Sequence, residues 1–222
     1  MSIARAAIFD MDGTLVDNMG FHAEAWIQTA QKLGVVGVTV EHFEQHFAGK
    51  KNEEIFPELL QRDIPVDELA VLAWDKEALY RSLATTSLSP MPGLIAFLDR
   101  LRAQGTRIAI ATAAPRENRA LVIELFALAD RVDAVVGAED VVRGKPAPDI
   151  FLKAAATLGI DPADCVAFED ARNGVKSAVA AGMPTVGVVT TTPATVLLEV
   201  GAFCTLSDYG VRPAELDARL FR

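Results

Sequence analysis

The sequence predicts an α/β protein, a doubly wound parallel sheet with a helical domain inserted near its start. Three observations carry that prediction. Five short runs rich in Ile, Val, Ala and Phe lack clean polar alternation, as strands buried on both faces do. Helical patterns separate the last four runs. Nearly a hundred residues divide the first run from the second, far more than one crossover needs.

In chain order, the first strand is Ile3 to Phe9. Residues from about Asn18 to about Thr85 read as helical throughout. Phe21, Ala25 and Trp26 set one face, Phe43, Phe47, Ile55, Leu59 and Leu60 continue it, and Val71, Trp74, Ala78 and Leu79 close the set. Pro92 and Gly93 open a helix from Leu94 to Arg102, which leads to a second strand, Arg107 to Ala111. Pro115 opens the next helix, with Leu121, Ile123, Leu125 and Phe126, ahead of a third strand, Ala134 to Val136. A helix from Ala147 to Leu158 precedes a fourth strand, Cys165 to Phe168. Ala171 to Ala181, closed by Gly182, leads to a fifth, Thr185 to Val189. The expected division is a core domain of residues 1–17 and 86–222 and an inserted helical domain of residues 18–85.

Composition narrows the function classes. Of 222 residues, 51% are hydrophobic and 23% charged, ample material for a core. The net charge of −9 argues against nucleic acid as a partner. No apolar stretch approaches membrane-span length, and Met1 to Arg5 runs directly into a strand, so the expectation is a cytoplasmic protein without a signal peptide or membrane partner. Cys165 and Cys204 have neither metal spacing nor a disulfide framework and read as buried free thiols. A monomer or weak homodimer is expected, with the helical domain or the segment after Phe203 as the available surface.

Ligands of a doubly wound sheet bind beyond the carboxyl ends of its strands. Asp10 and Asp12 follow the first strand, Thr112 the second, Lys145 the third, and Glu169 and Asp170 the fourth. Each has an ordinary alternative: Asp12-Gly13 as a turn, Thr112 or Asp170 as a helix cap, Lys145 as a solvated loop charge. Their joint occurrence at the correct strand ends favours one reactive crevice. Four clustered carboxylates cannot all stay ionised cheaply. Oxygen-only ligands favour Mg²⁺, which accepts phosphate oxygens. Four acids, a divalent ion and Lys145 then leave a site that an anionic phosphoryl group can enter.

The motifs Asp10-Met-Asp12-Gly-Thr14-Leu-Val, Thr112, Lys145 and Glu169-Asp170 resemble the four motifs of the haloacid dehalogenase superfamily. His22-Ala-Glu-Ala-Trp26, Gly144-Lys-Pro-Ala-Pro-Asp149 and Phe168-Glu-Asp-Ala-Arg-Asn-Gly174 resemble its beta-phosphoglucomutase-like phosphatase branch, and the inserted helices resemble its small cap. The resemblance implies Asp10 as the nucleophile that forms an aspartyl-phosphate and Asp12 as general acid and base, its acidity lowered by acidic neighbours. It implies Mg²⁺ held by Asp10, Asp170 and the Asp12 main-chain carbonyl, with Glu169 in direct or outer support. Thr112, Ala113 and Lys145 would bind the phosphoryl group. Asp12 argues against dehalogenation, since a halide leaving group needs no acid.

The stretch Phe47 to Glu53 resembles the family's specificity loop, which makes Lys50, Lys51 and Asn52 candidate substrate contacts beside His22, Lys76 and Arg116. The ordinary readings remain open: solvated lysines, a structural histidine, an arginine at a helix start. Sugar phosphomutases of this type carry an arginine where this chain has Asn52 and a lysine where it has Ala48, which weakens a grip on a second phosphate. The expectation is therefore a Mg²⁺-dependent phosphatase of a small phosphorylated metabolite. A phosphosugar mutase is the alternative, and an inorganic pyrophosphatase a less favoured one. A receiver domain is disfavoured by length and by the position of the acidic pair, and a catalytically silent sensor by the complete set of reactive residues. Hexose phosphates, fructose 1-phosphate, phosphoglycolate and pyrophosphate all stay open as substrates.

Overall fold

The computed structural model describes residues 3–47 and 50–221. Its α-carbon contacts divide the chain into two compact units, one of residues 1–17 and 89–222 and one of residues 18–88.

The larger unit is built on six parallel strands in the order β3-β2-β1-β4-β5-β6. They are β1 (Ala6–Phe9), β2 (Arg107–Ala111), β3 (Ala134–Val136), β4 (Cys165–Glu169), β5 (Thr185–Val188) and β6 (Cys204–Leu206). The strand order runs outward in both directions from β1 and β4, so the topological switch point lies between these two strands. Their register pairs Ile8 with Ala167 and Phe9 with Phe168, and it brings the carboxyl ends of both strands out at the same edge.

One face of the sheet packs Ile8, Ala109, Ala111 and Ala167 against Ile150, Phe151, Ala154 and Ala155 of the helix Asp149–Leu158. Phe9 and Phe168 stack at 4.4 Å and meet Phe97 and Tyr209 edge-on or tilted. Burying side chains of this size contributes about 1.5–3 kcal/mol each, so these contacts hold the two central strands directly behind their reactive ends.

The sequence predicts the first strand from Ile3, but it begins at Ala6, because Ala4 and Arg5 hydrogen-bond outside the sheet, to Arg219 and Asp164 carbonyls. β6 has no counterpart in the sequence prediction. It is three residues long and follows a short helix, Ala194–Glu199. The segment after Phe203 supplies this edge strand, the buried Tyr209, and Leu216 and Leu220 of the helix Ala214–Leu220.

The smaller unit is helical: α1 (Met19–Lys32), the single turn α2 (Val40–His42) continuing into a π-helical turn (Phe43–Phe47), α3 (Asn52–Leu60) and α4 (Val66–Ala84). Trp26 packs against Phe47 and Phe56 at the centre, with Phe43, Ile55 and Leu59 around it. The unit is not helical throughout. Residues 33–39 and 61–65 are connections, with Gly34, Gly37 and Gln61 at positive φ. After α4, the Ser87 and Leu88 N–H groups both donate to the Ala84 carbonyl, which ties residues 85–88 to the helical unit. Among the described residues, no helix is long and apolar enough to cross a membrane.

Candidate active site

Asp10 leaves β1 as a buried residue, its N–H donating to the Phe168 carbonyl of β4 at 3.0 Å. The chain then closes a tight loop. Leu15 N–H returns to Met11 O at 2.8 Å, and Gly13 N–H donates to Val16 O at 2.7 Å. Gly13 sits at φ +75°, and a Cβ there would lie 2.2 Å from Asp170 Oδ2. Only glycine meets both demands, so Asp-Gly here is more than a turn signal.

Glu169 and Asp170 end β4, both buried. Glu169 Oε2 accepts from the Ala171 N–H at 2.8 Å, and Oε1 accepts from Lys145 at 2.5 Å. Gly174 makes room for this carboxylate, since a Cβ there would stand 1.7 Å from Glu169 Oε1. The Lys145 ammonium also donates to Asp10 Oδ1 at 2.6 Å. Asp170 takes hydroxyl donors, Thr14 on Oδ1 at 3.3 Å and Thr191 on Oδ2.

Asp10, Glu169 and Asp170 each place a carboxylate oxygen within 4.8 Å of the other two. Burial raises the Asp10 carboxyl to about 7; Lys145 opposes the shift, and Glu169 and Asp12 reinforce it. Burial, then Glu169 and Asp10, push Asp170 well above the carboxylate range. Burial pulls the Lys145 ammonium down, but Asp10 and Glu169 outweigh it and the net shift is upward. Three buried acids facing one lysine form a donor set of hard oxygens with unmet negative charge, and such a set fits Mg²⁺.

Asp12 is half-buried in the loop and bridges to Val16; its carboxylate is not part of the three-acid group. Thr112 is buried at the end of β2, where its hydroxyl accepts from the Ala114 N–H at 3.1 Å, while Ala113 is exposed. Asp170 is not a helix cap: Ala171 holds the N-cap position of the helix Arg172–Ala180 and makes no side-chain cap bond.

Several candidate substrate contacts have local partners. Lys50 donates to Glu58 at 2.6 Å within the helical unit. Lys51 caps α3, and its N–H donates to Glu54 at 2.9 Å. Arg116 is 81% exposed and faces Glu139 at 3.9 Å, beside a groove of ≈ 340 Å³ lined also by Arg119, Ile123 and Val135. Ala48 lies outside the described residues, as does Gly49.

Asn52, His22 and Lys76 do come together. The Lys76 ammonium is buried against Glu77 at 2.8 Å and lies 3.1 Å from His22 Nδ1 and 5.2 Å from the Trp26 ring centre. Asn52 Nδ2 donates to the same Glu77 oxygen at 3.0 Å. The His22 ring stacks on Tyr80 at 3.9 Å. Burial, and then the Lys76 ammonium, lower the imidazole to about 3. Sequence reading missed Glu77, Thr190 and Thr191, and named Thr14 within the first motif without a role. A glutamate beside a lysine on a helix carries no periodic signal, and threonines after a strand resemble ordinary loop residues.

The haloacid dehalogenase-like hydrolase family matches residues 4–182. The fructose-1-phosphate phosphatase of Escherichia coli K12 is 33% identical over 185 residues, 82% of this chain and 94% of that protein. The beta-phosphoglucomutase of Bacillus subtilis 168 is 31% identical over 192 residues, 83% of either chain. The crystal structure of a family IA, variant 3 HAD hydrolase from Entamoeba histolytica superposes with a TM-score of 0.88 at 27% identity, covering 97% of this chain and 96% of the other. With its doubly wound core and inserted helical cap, the chain belongs to the haloacid dehalogenase-like hydrolases, in their beta-phosphoglucomutase-like branch.

Proposed function

We propose that the protein is a Mg²⁺-dependent phosphatase of a small phosphorylated metabolite, a sugar phosphate or a compound of that kind. The observation that supports it most is the buried group of Asp10, Glu169 and Asp170 at the switch point, with one lysine against three acids. Mg²⁺, held by Asp10, Asp170 and the Asp12 carbonyl with Glu169 in support, would supply charge for the phosphoryl oxygens and screen them from the acids.

The protein's own groups divide the rest of the work. An Asp10 carboxylate oxygen attacks phosphorus, and the bond from phosphorus to the substrate oxygen breaks. Asp12 gives that oxygen its proton. Asp12, now ionised, takes a proton from water, whose oxygen attacks the same phosphorus; the bond to Asp10 breaks and phosphate leaves. Lys145 holds Asp10 in place at 2.6 Å and adds positive charge beside the transferred group. Thr112 and the Ala113 N–H would complete the phosphoryl cradle, and His22, Lys76 and Asn52 stand as candidate contacts to the remainder of the substrate.

The named relatives support phosphate chemistry on small sugars: one is a fructose-1-phosphate phosphatase, another a beta-phosphoglucomutase. The mutase is the second reading. Against it, Asn52 is hydrogen-bonded to Glu77, and Glu77 also pairs with Lys76, so an acid occupies this part of the cap. A second phosphate would need a grip there. The test is a panel of hexose phosphates, fructose 1-phosphate, phosphoglycolate and pyrophosphate, scored for phosphate release with Mg²⁺. Release faster than any interconversion of hexose 1- and 6-phosphates supports the phosphatase. Faster interconversion would replace it with the mutase.

A further inference from the structure

The run Thr190-Thr191 follows β5 in a loop that no catalytic motif uses. Its two hydroxyls reach in different directions. Thr190 Oγ1 donates to the Gly13 carbonyl at 2.5 Å, in the loop that carries Asp10 and Asp12. Thr191 Oγ1 donates to the Asp170 carbonyl at 3.2 Å and also to Asp170 Oδ2. The loop is itself anchored, because Val189 N–H donates to Leu206 O of β6 at 2.8 Å. Consecutive residues of one segment therefore fasten the two acid-bearing loops to each other.

The carboxylates are held in chemically different ways. Asp10 and Glu169 share the charge of Lys145, whereas Asp170 is oriented by the hydroxyls of Thr14 and Thr191. A neutral donor fixes the direction of a carboxylate and leaves most of its charge for a cation. Thr14 is fixed in turn, its carbonyl accepting from the buried Tyr209 hydroxyl at 3.1 Å.

We propose that Thr190 and Thr191 are positioning residues, a clasp that sets the distance between the Asp10 loop and Asp170 and so tunes divalent-cation affinity. This rests on the metal-dependent reading of the site. Thr191 is solvent-exposed on its outer side, so replacing it does not open the core. The test is the rise in melting temperature as Mg²⁺ is titrated into the wild type, T191V and T191S, without substrate.

T191V is expected to need about 10-fold more Mg²⁺ for the half-maximal rise, as losing an outer partner of a metal ligand typically does. T191S, which keeps the hydroxyl, stays close to the wild type. In turnover, T191V raises the Mg²⁺ requirement and recovers kcat at saturating Mg²⁺. Should T191V fail to fold, T191A against T191S reads the same hydroxyl. Equal Mg²⁺ dependence for all variants, or T191S behaving as T191V does, would overturn the clasp. So would a wild type whose melting ignores Mg²⁺. Normal Mg²⁺ binding without phosphate release from any compound would sink the phosphatase reading and leave the clasp standing on the variant contrast.

Discussion

One lysine marks each of the two units, Lys145 largely covered and Lys76 buried, and they are balanced differently. Lys145 in the core faces Asp10 and Glu169 directly, with Asp170 in the same group, so acid exceeds base. Lys76 in the helical unit is matched by the adjacent Glu77, with His22 kept neutral beside it. A surplus of buried carboxylate creates a demand for a cation, whereas a lysine beside an adjacent glutamate creates no such surplus. The core cluster is therefore built to take something up, whereas the Lys76–Glu77 pair lies buried within the helical unit.

Four experiments break or sharpen this contrast, and the largest effect falls on the nucleophile. D10N removes the attacking carboxylate and is expected to lower phosphate release by about 10³-fold or more, with folding retained, measured under saturating Mg²⁺. Next come the lysine partners. K145M leaves three acids without their lysine and should cost about 3–5 kcal/mol of stability in EDTA, with Mg²⁺ restoring a large part. E77Q leaves Lys76 buried beside a neutral amide at a similar cost, and here Mg²⁺ should stabilise no more than it stabilises the wild type. Chemical denaturation with and without Mg²⁺ reads both, and equal Mg²⁺ rescue in the two variants would erase the distinction.

G174A is smaller in effect and opposite to simple helix propensity. Alanine favours a helix over glycine, but its Cβ would meet Glu169, so a loss of about 1–3 kcal/mol is expected in place of a gain. The last effect is on pH and is read as a slope. Unfolded His22 takes up a proton near its ordinary 6.5, while the folded ring, facing Lys76, Glu77 and Tyr80, resists down to about 3. Across that window the unfolded state binds more protons, so stability falls as pH drops, by about 1.4 kcal/mol per unit at most. H22N should show a shallower decline between pH 6.5 and 4 in thermal melts.

The sheet was legible because parallel strands buried on both faces are unbroken apolar runs, and Arg107–Ala111 and Ala134–Val136 form where the pattern placed them. β6 was not legible. Cys204–Leu206 is a three-residue edge, and its pairing with β5 goes with the packing of the helix Ala194–Glu199 against both strands. The helical insertion was readable as helical, but its breaks at residues 33–39 and 61–65 were not, since apolar residues such as Val35, Val38 and Ile64 continue through them to fill the Trp26 core.

In the site, strand-end chemistry identified Asp10, Lys145, Glu169 and Asp170, which the fold brings together. It gave no hint that Lys50 would turn to Glu58, or that Glu77 would take both Asn52 and Lys76. Partners of this kind are chosen by helix-to-helix geometry, and sequence spacing does not encode them.

The most direct test of the account is phosphate release from a sugar monophosphate in EDTA and again after Mg²⁺ is restored, with D10N run in parallel. The acid surplus at Asp10, Glu169 and Asp170 predicts no release in EDTA, full release with Mg²⁺, and none from D10N in either. Equal release in EDTA, or turnover by D10N at the wild-type rate, would contradict it.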